Sequence, residues 1–94
     1  MTAYRLDISP HVAEIIRHLP PDLKRAIKAA LHALGRDPAL GEPLMRELEG
    51  LWKYRVRRFR IVYSVDRRGR AVRIFAVGHR RGIYETVTAL IRGR

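Results

Sequence analysis

The apolar positions change their period once along the chain, near its middle. In the first half, Val12, Ile15, Ile16 and Leu19 recur at helical spacing, as do Leu23, Ile27, Ala30, Leu31 and Leu34. Ser9 before Pro10 predicts a helix start, because serine caps the free amides and proline fits the first helical position. Pro20-Pro21 is expected to stop this helix, and Asp22 is a favourable anion in the first turn of the next. Gly35 predicts the stop of the second helix, with Pro38 beyond it. A short strand over residues 3–8 precedes both helices. Residues 36–48, with two prolines and one glycine, are read as a loop lying against the domain.

From Leu51 the period is two. One strand is expected over residues 51–57, a second over Phe59–Asp66 and a third over Ala71–His79, with Arg67-Arg68-Gly69-Arg70 as a hairpin turn. The last of these strands is apolar on both faces at its middle, which suits an interior position. Arg57-Arg58 is a poor pair for a two-residue hairpin, so a longer loop or a bulge is expected there. After Gly82, Ile83, Val87, Leu90 and Ile91 return to helical spacing. The order is β-α-α-β-β-β-α, an α+β domain with a small antiparallel sheet packed against helices. At 94 residues, 1–94 is read as a single domain with one modest core.

Charge changes the picture more than size does. Twenty Lys and Arg face nine Asp and Glu, a formal net charge of +11, and 17 of the 20 cations are Arg. Between Lys53 and Arg81 there are eleven basic residues and one acid, Asp66, whereas seven of the nine acids precede Gly50. Such an imbalance opposes compactness and implies a polyanionic partner. The absence of cysteine removes disulfides, thiolate metal sites and a cysteine nucleophile, and leans toward the cytoplasm. No signal-like run opens the chain and no stretch approaches the roughly 20 apolar residues that span a bilayer, so no membrane role is expected.

Strand alternation sorts these charges. Trp52, Tyr54 and Val56 fall on one face, with Phe59, Ile61 and Tyr63 beside them as a core face. Lys53, Arg55 and Arg57 fall on the other, with Arg60, Val62 and Ser64. Three like charges on adjacent strands repel, an arrangement that makes sense where a phosphate backbone lies. The strand-to-helix junction Gly78-His79-Arg80-Arg81-Gly82-Ile83-Tyr84 is the second candidate. A helix opening near Arg80 would put Arg80 and Tyr84 one turn apart on one face. Tyr84 then serves proton transfer or base stacking, or packs against the sheet as an ordinary helix residue. His11, His18, His32 and His79 form no obvious catalytic pair, and their spacing with the carboxylates suggests no metal site.

The run Glu47-Leu48-Glu49-Gly50-Leu51-Trp52-Lys53-Tyr54-Arg55-Val56, then Phe59-Arg60-Ile61-Val62-Tyr63, then Val77-Gly78-His79-Arg80-Arg81-Gly82-Ile83-Tyr84, resembles the RelE/ParE superfamily of toxins, in its RelE-like branch. The resemblance implies a toxin of a type II toxin–antitoxin system that cleaves mRNA in the ribosomal A site. It carries the catalytic positions onto Lys53, Arg55 (an Arg where a Lys is usual), Arg60, Arg80 and Tyr84. Arg57-Arg58 departs from the Gly-Asp common at that turn. Arg57, Arg58, His79 and Arg81 are read as RNA contacts around that set.

The chemistry implied is metal-free and cofactor-free attack of a ribose 2′-OH on the adjacent phosphate. It requires removal of the 2′ proton, stabilisation of a dianionic transition state and protonation of the leaving oxygen. Arg60 and Arg80 suit the second task, and Lys53 or Tyr84 the first. The implied partners are the ribosome with its mRNA and an acidic antitoxin that covers the cationic face. Two other classes compete: a ParE-like DNA gyrase inhibitor without chemistry of its own, and a plain basic nucleic-acid-binding domain. Trp52, Tyr54, Phe59 and Tyr63 fall on the expected core face, away from where a simple RNA binder would use them.

Overall fold

The computed structural model describes residues 3–93. In chain order the elements are β1 (Arg5–Ile8), α1 (Pro10–Arg17), α2 (Pro21–Arg36), β2 (Glu42–Pro43), β3 (Trp52–Val56), β4 (Phe59–Asp66), β5 (Ala71–His79) and α3 (Ile83–Arg92). Short 3-10 turns at Pro38–Leu40 and Arg46–Leu48 flank β2. The α+β class holds, with a five-stranded sheet in the order β1-β5-β4-β3-β2. The β2–β3, β3–β4 and β4–β5 pairs are antiparallel. β1 lies parallel to β5, with Leu6 opposite Val72, because the α1–α2 hairpin carries the chain back between them.

The helices form where the sequence punctuates them. The Ser9 side chain accepts a hydrogen bond from Val12 N at 3.2 Å, and Pro10 fills the first helical position. α1 ends at Arg17, and Pro21 opens α2. Gly35 is not the stop: α2 continues through Arg36 and ends at Asp37. Gly35 lies beside the chain entering β1, where Tyr4 N donates to Gly35 O at 2.7 Å.

α1 and α2 cover one face of the sheet. Val12, Ile16, Ile27, Leu31 and Leu34 pack on Val56, Ile61, Tyr63, Val72, Ile74 and Val77. Each such side chain, fully buried, contributes roughly 1.5–3 kcal/mol. Trp52, Tyr54 and Phe59 border this core, on the face that alternation indicated. The second face, to which alternation assigned the cations, is itself partly covered. α3 lies across its middle, where Leu51, Val62, Ala76, Ile83 and Val87 form a smaller cluster. Val62, grouped with the exposed cations by alternation, is completely buried there. Gly78 allows the docking, since a Cβ on it would stand 3.1 Å from Ile83 Cδ1.

Three further expectations are corrected. Residues 36–48 are not only loop, because Glu42 and Pro43 pair with Lys53 and Trp52 and extend the sheet edge. Tyr63 fixes that segment: its hydroxyl donates to Pro38 O at 2.7 Å and accepts from Gly41 N at 3.1 Å. The Arg57-Arg58 turn is neither lengthened nor bulged, since Val56 pairs directly with Phe59. Arg57 takes the left-handed backbone itself, at φ +57°. The irregularity lies elsewhere, where pairing steps from Val62–Ala76 to Tyr63–Ile74 and leaves Phe75 as the extra residue of a bulge. Finally, α3 begins at Ile83, after a turn over residues 80–82.

Arg57 is not alone. Among the described residues, every non-glycine position with positive φ is an arginine: Arg46 at +59°, Arg57 at +57° and Arg70 at +52°. Left-handed backbone costs an L-residue roughly 1–2 kcal/mol, and glycine or asparagine usually takes such positions.

Candidate nucleic-acid interface and active site

The candidate residues converge on one end of the sheet. Lys53 and Arg55 alternate on β3 and face the α3 side. Arg60, the second residue of β4, stands directly opposite Arg55 in the ladder. Like charges so placed repel at about 0.2–1 kcal/mol, and no described carboxylate pairs with either of them. Arg60 is held by its own hairpin, as Nη1 donates to Phe59 O at 3.0 Å and to Arg57 O at 3.3 Å. Its remaining N–H groups stay available to an anion.

β5 brings the second half of the set. Gly78 pairs with Arg60 and His79 with Phe59. Arg80 has left the strand ladder but stays anchored, since its N–H donates to Arg58 O at 2.7 Å. The two turns that carry Arg57, Arg58, Arg80 and Arg81 are thus joined through the backbone, and all four side chains are exposed. His79 is partly committed. Its Nδ1 accepts from Arg81 N at 3.2 Å, and its ring stands edge-on to Phe59 at 6.0 Å. That contact fixes the His79 side chain as part of the turn.

Lys53 has the one acid of the cluster beside it. Glu42 Oε1 lies 3.8 Å from Lys53 Nζ across the β2–β3 pair. Sequence reading missed this carboxylate, because a two-residue strand containing proline leaves no periodic signal. Tyr84 is set differently from expectation. α3 opens at Ile83, so Arg80 and Tyr84 are not i, i+4 neighbours on a helix. Tyr84 is half-buried and packs against the Leu51–Val62–Ala76–Ile83–Val87 cluster. The structure therefore brings Lys53, Arg55, Arg60 and Arg80 to one sheet end and puts Tyr84 on the first turn of the helix beside it.

Burial pushes the Tyr63 phenol above its ordinary value, opposed by the Gly41 N–H, so Tyr63 is a neutral structural clamp. Among the described residues no group of three or more His, Cys, Asp or Glu is gathered as for a metal ion. No helix among them is long and apolar enough to cross a membrane.

The chain is similar to known proteins over most of its length. Residues 8–84 match the family described as the ParE toxin of the type II toxin–antitoxin system parDE. Toxin RelG of Mycobacterium tuberculosis is 37% identical over 71 residues, covering 73% of this chain and 82% of RelG. The toxin–antitoxin complex RelBE2 of the same organism superposes with a TM-score of 0.75 at 30% identity, over 84% of this chain and 93% of that chain. A mutant of the E. coli toxin RelE in the free state gives 0.74 at 22% identity, over 94% and 93% of the two chains, a likeness of fold.

Proposed function

This chain belongs to the ParE toxin family, within the RelE/ParE superfamily of type II toxin–antitoxin toxins, and from that premise we propose that it is a ribosome-dependent mRNA endoribonuclease. The observation that carries the reading is the Arg55–Arg60 pair, two cations held face to face beside Lys53 with no carboxylate between them. Stored repulsion of this kind is relieved when a phosphate sits between the guanidinium groups.

In the proposed reaction the ribose 2′ oxygen attacks the adjacent phosphorus. The bond to the 5′ oxygen of the next nucleotide breaks, leaving a 2′,3′-cyclic phosphate and a free 5′-OH. Arg60 and Arg80 offer guanidinium groups that stabilise the dianionic transition state. Lys53 or Tyr84 removes the 2′ proton, and a proton is returned to the leaving oxygen. Arg55 holds the backbone. Arg57, Arg58, His79 and Arg81 contact flanking nucleotides. No metal and no cofactor enters these steps. An acidic antitoxin is the restraining partner, and the toxin acts in the cytoplasm.

A second reading rests on a specific observation. The matching family is described by its ParE members, and Tyr84 packs on the sheet rather than standing free beside Arg80. A gyrase inhibitor needs no such tyrosine chemistry. Pulse labelling after expression of the chain alone distinguishes them. Under the nuclease reading protein synthesis stops first, with cleaved mRNA ends at A-site codons. DNA synthesis stopping first, with translation continuing, gives the gyrase reading.

A further inference from the structure

The sheet has a second concentration of arginine at its opposite end. The β4–β5 turn, Arg67-Arg68-Gly69-Arg70, is exposed throughout. Arg5 lies beside it, since Arg5 N donates to Arg70 O at 2.8 Å. Two carboxylates are near, and both are turned to another partner. Asp7 and Asp66 reach Arg73 at 3.7 and 3.4 Å. Asp66 also accepts from Gly69 N at 3.0 Å, a bond that with Arg73 holds its carboxyl below the usual carboxylate value. Among the described residues none of Arg5, Arg67, Arg68 and Arg70 forms an ion pair, although Arg5 acts on Asp66 from farther away.

The turn is built to hold its shape. The Asp66 carboxylate fills the place where a Cβ on Gly69 would fall, 2.7 Å from Asp66 Oδ2. Arg70 occupies a left-handed position at φ +52°. Glycine would sit there without strain. An arginine retained at a strained turn position points to use of its side chain. Arg57, inside the proposed active end, also has left-handed backbone, so an arginine in that conformation stands at each end of β4.

We propose that Arg67, Arg68 and Arg70, with Arg5, form a second phosphate-binding site that grips the sugar–phosphate backbone of structured RNA away from the scissile bond. β4 has eight residues, which separates the two ends by roughly 25 Å. One toxin therefore engages two separate stretches of RNA at once, which for a ribosome-bound toxin means the mRNA at one end and folded RNA at the other. The turn offers no aromatic ring for base stacking and no apolar anchor for a protein partner. Phosphate contacts need only charge and position, which it supplies. The inference rests on the ribosomal reading for the identity of that RNA, but not for the contact itself.

The test is binding of the full chain to programmed 70S ribosomes with an empty A site, titrated against KCl. A triple variant, Arg67→Gln, Arg68→Gln and Arg70→Gly, is expected to flatten the slope of log K against log salt by about 2–3. Its affinity near 150 mM salt is expected to fall about tenfold or more, with the saturated single-turnover cleavage rate within about twofold of wild type. Arg70→Gly alone removes one charge and the backbone strain together. It should melt no lower than wild type and still lose about one unit of slope, so the loss cannot arise from misfolding. An unchanged slope and affinity in the triple variant overturns the proposal. So does an unchanged ribosome slope with weakened antitoxin binding, which makes the turn an acidic-protein contact. Wild-type binding with the expected slopes but no cleavage refutes the nuclease reading and leaves this site standing.

Discussion

The two faces of the sheet are held very differently. Under α1 and α2 lies a continuous core that includes the fully buried Ile27, Leu34, Ile61 and Tyr63. Under α3 the buried set is Leu51, Val62, Ala76, Ile83 and Val87, with the Arg73–Asp66 pair at one margin and the facing Arg55 and Arg60 at the other. The first face fixes where the strands lie. The second presents charge on that fixed frame, under a ten-residue helix with a smaller hold. Rigidity and surface charge are thus separated across one layer of backbone, and substitutions on the two faces should fail in different ways.

The largest effect is expected from Leu34→Ala, which opens a cavity in the main core and should cost about 2–5 kcal/mol of unfolding free energy. Val87→Ala, under α3, should cost roughly 1–2 kcal/mol. Urea unfolding compares them, and equal losses would mean that α3 is as firmly part of the frame as α2.

Next in size, Arg60→Ala and Arg80→Ala should each lower the saturated single-turnover rate about 100-fold, equivalent to about 2.7 kcal/mol, with ribosome affinity falling far less. Stability should hardly change, because Arg60 gives up only two bonds to turn carbonyls. A loss confined to affinity would remove both residues from the chemical step.

A smaller change tests the link between the faces. Tyr63 points into the main core, yet its hydroxyl holds Pro38 and Gly41 and so positions Glu42 beside Lys53. Tyr63→Phe should cost about 1–3 kcal/mol, because two backbone groups lose their partner. Amide exchange at Gly41 should rise while β5 stays protected. Unchanged exchange there would mean that β2 pairing alone holds the segment.

The smallest effect belongs to Asp66→Asn. The Asp66 carboxyl is held below the usual carboxylate value, first by the Gly69 N–H. A depressed carboxyl contributes stability above its unfolded value, and loses it as the pH falls through the lower folded value. Asparagine can still accept from Gly69, so the variant removes only the charge. Its melting temperature should lie below wild type at pH 7 and converge with it at acid pH. A difference that persists in acid would place the effect in turn geometry.

Much of this was legible from residue order alone, for identifiable reasons. Ser9-Pro10 and the alternation of β3 to β5 are local signals, and the structure keeps them. Lys53, Arg55 and Arg60 were legible as one group because a period of two assigns them to one face. Alternation cannot say what covers a face, so Val62 was grouped with the cations although α3 buries it. A tight turn at Arg57 was hidden, because the residue there is not one that normally takes left-handed backbone. Arg80 reached the site through a backbone bond to Arg58, a contact between two loops that no periodicity encodes. Gly35 read as a terminator because glycine at a helix end is usually one, whereas here the helix runs one residue further and the Gly35 carbonyl accepts from Tyr4 N.

The Phe75 bulge has a consequence for how the chain tolerates a change of length. On either side of it β5 obeys strict alternation, with Val72, Ile74 and Val77 inward to α1 and α2 and Ala76 and Gly78 toward α3. Phe75 is the surplus member of that count. Losing it would restore an unbroken odd–even sequence and leave every other residue of the strand on its present side. Losing Val72, Arg73 or Ile74 instead would put the residues on one side of the gap out of step with those on the other, unless the bulge were absorbed to compensate. The strand therefore carries one position beyond what alternation needs, and a chain shortened there would keep its register while giving up the packing of Phe75 on the α3 cluster.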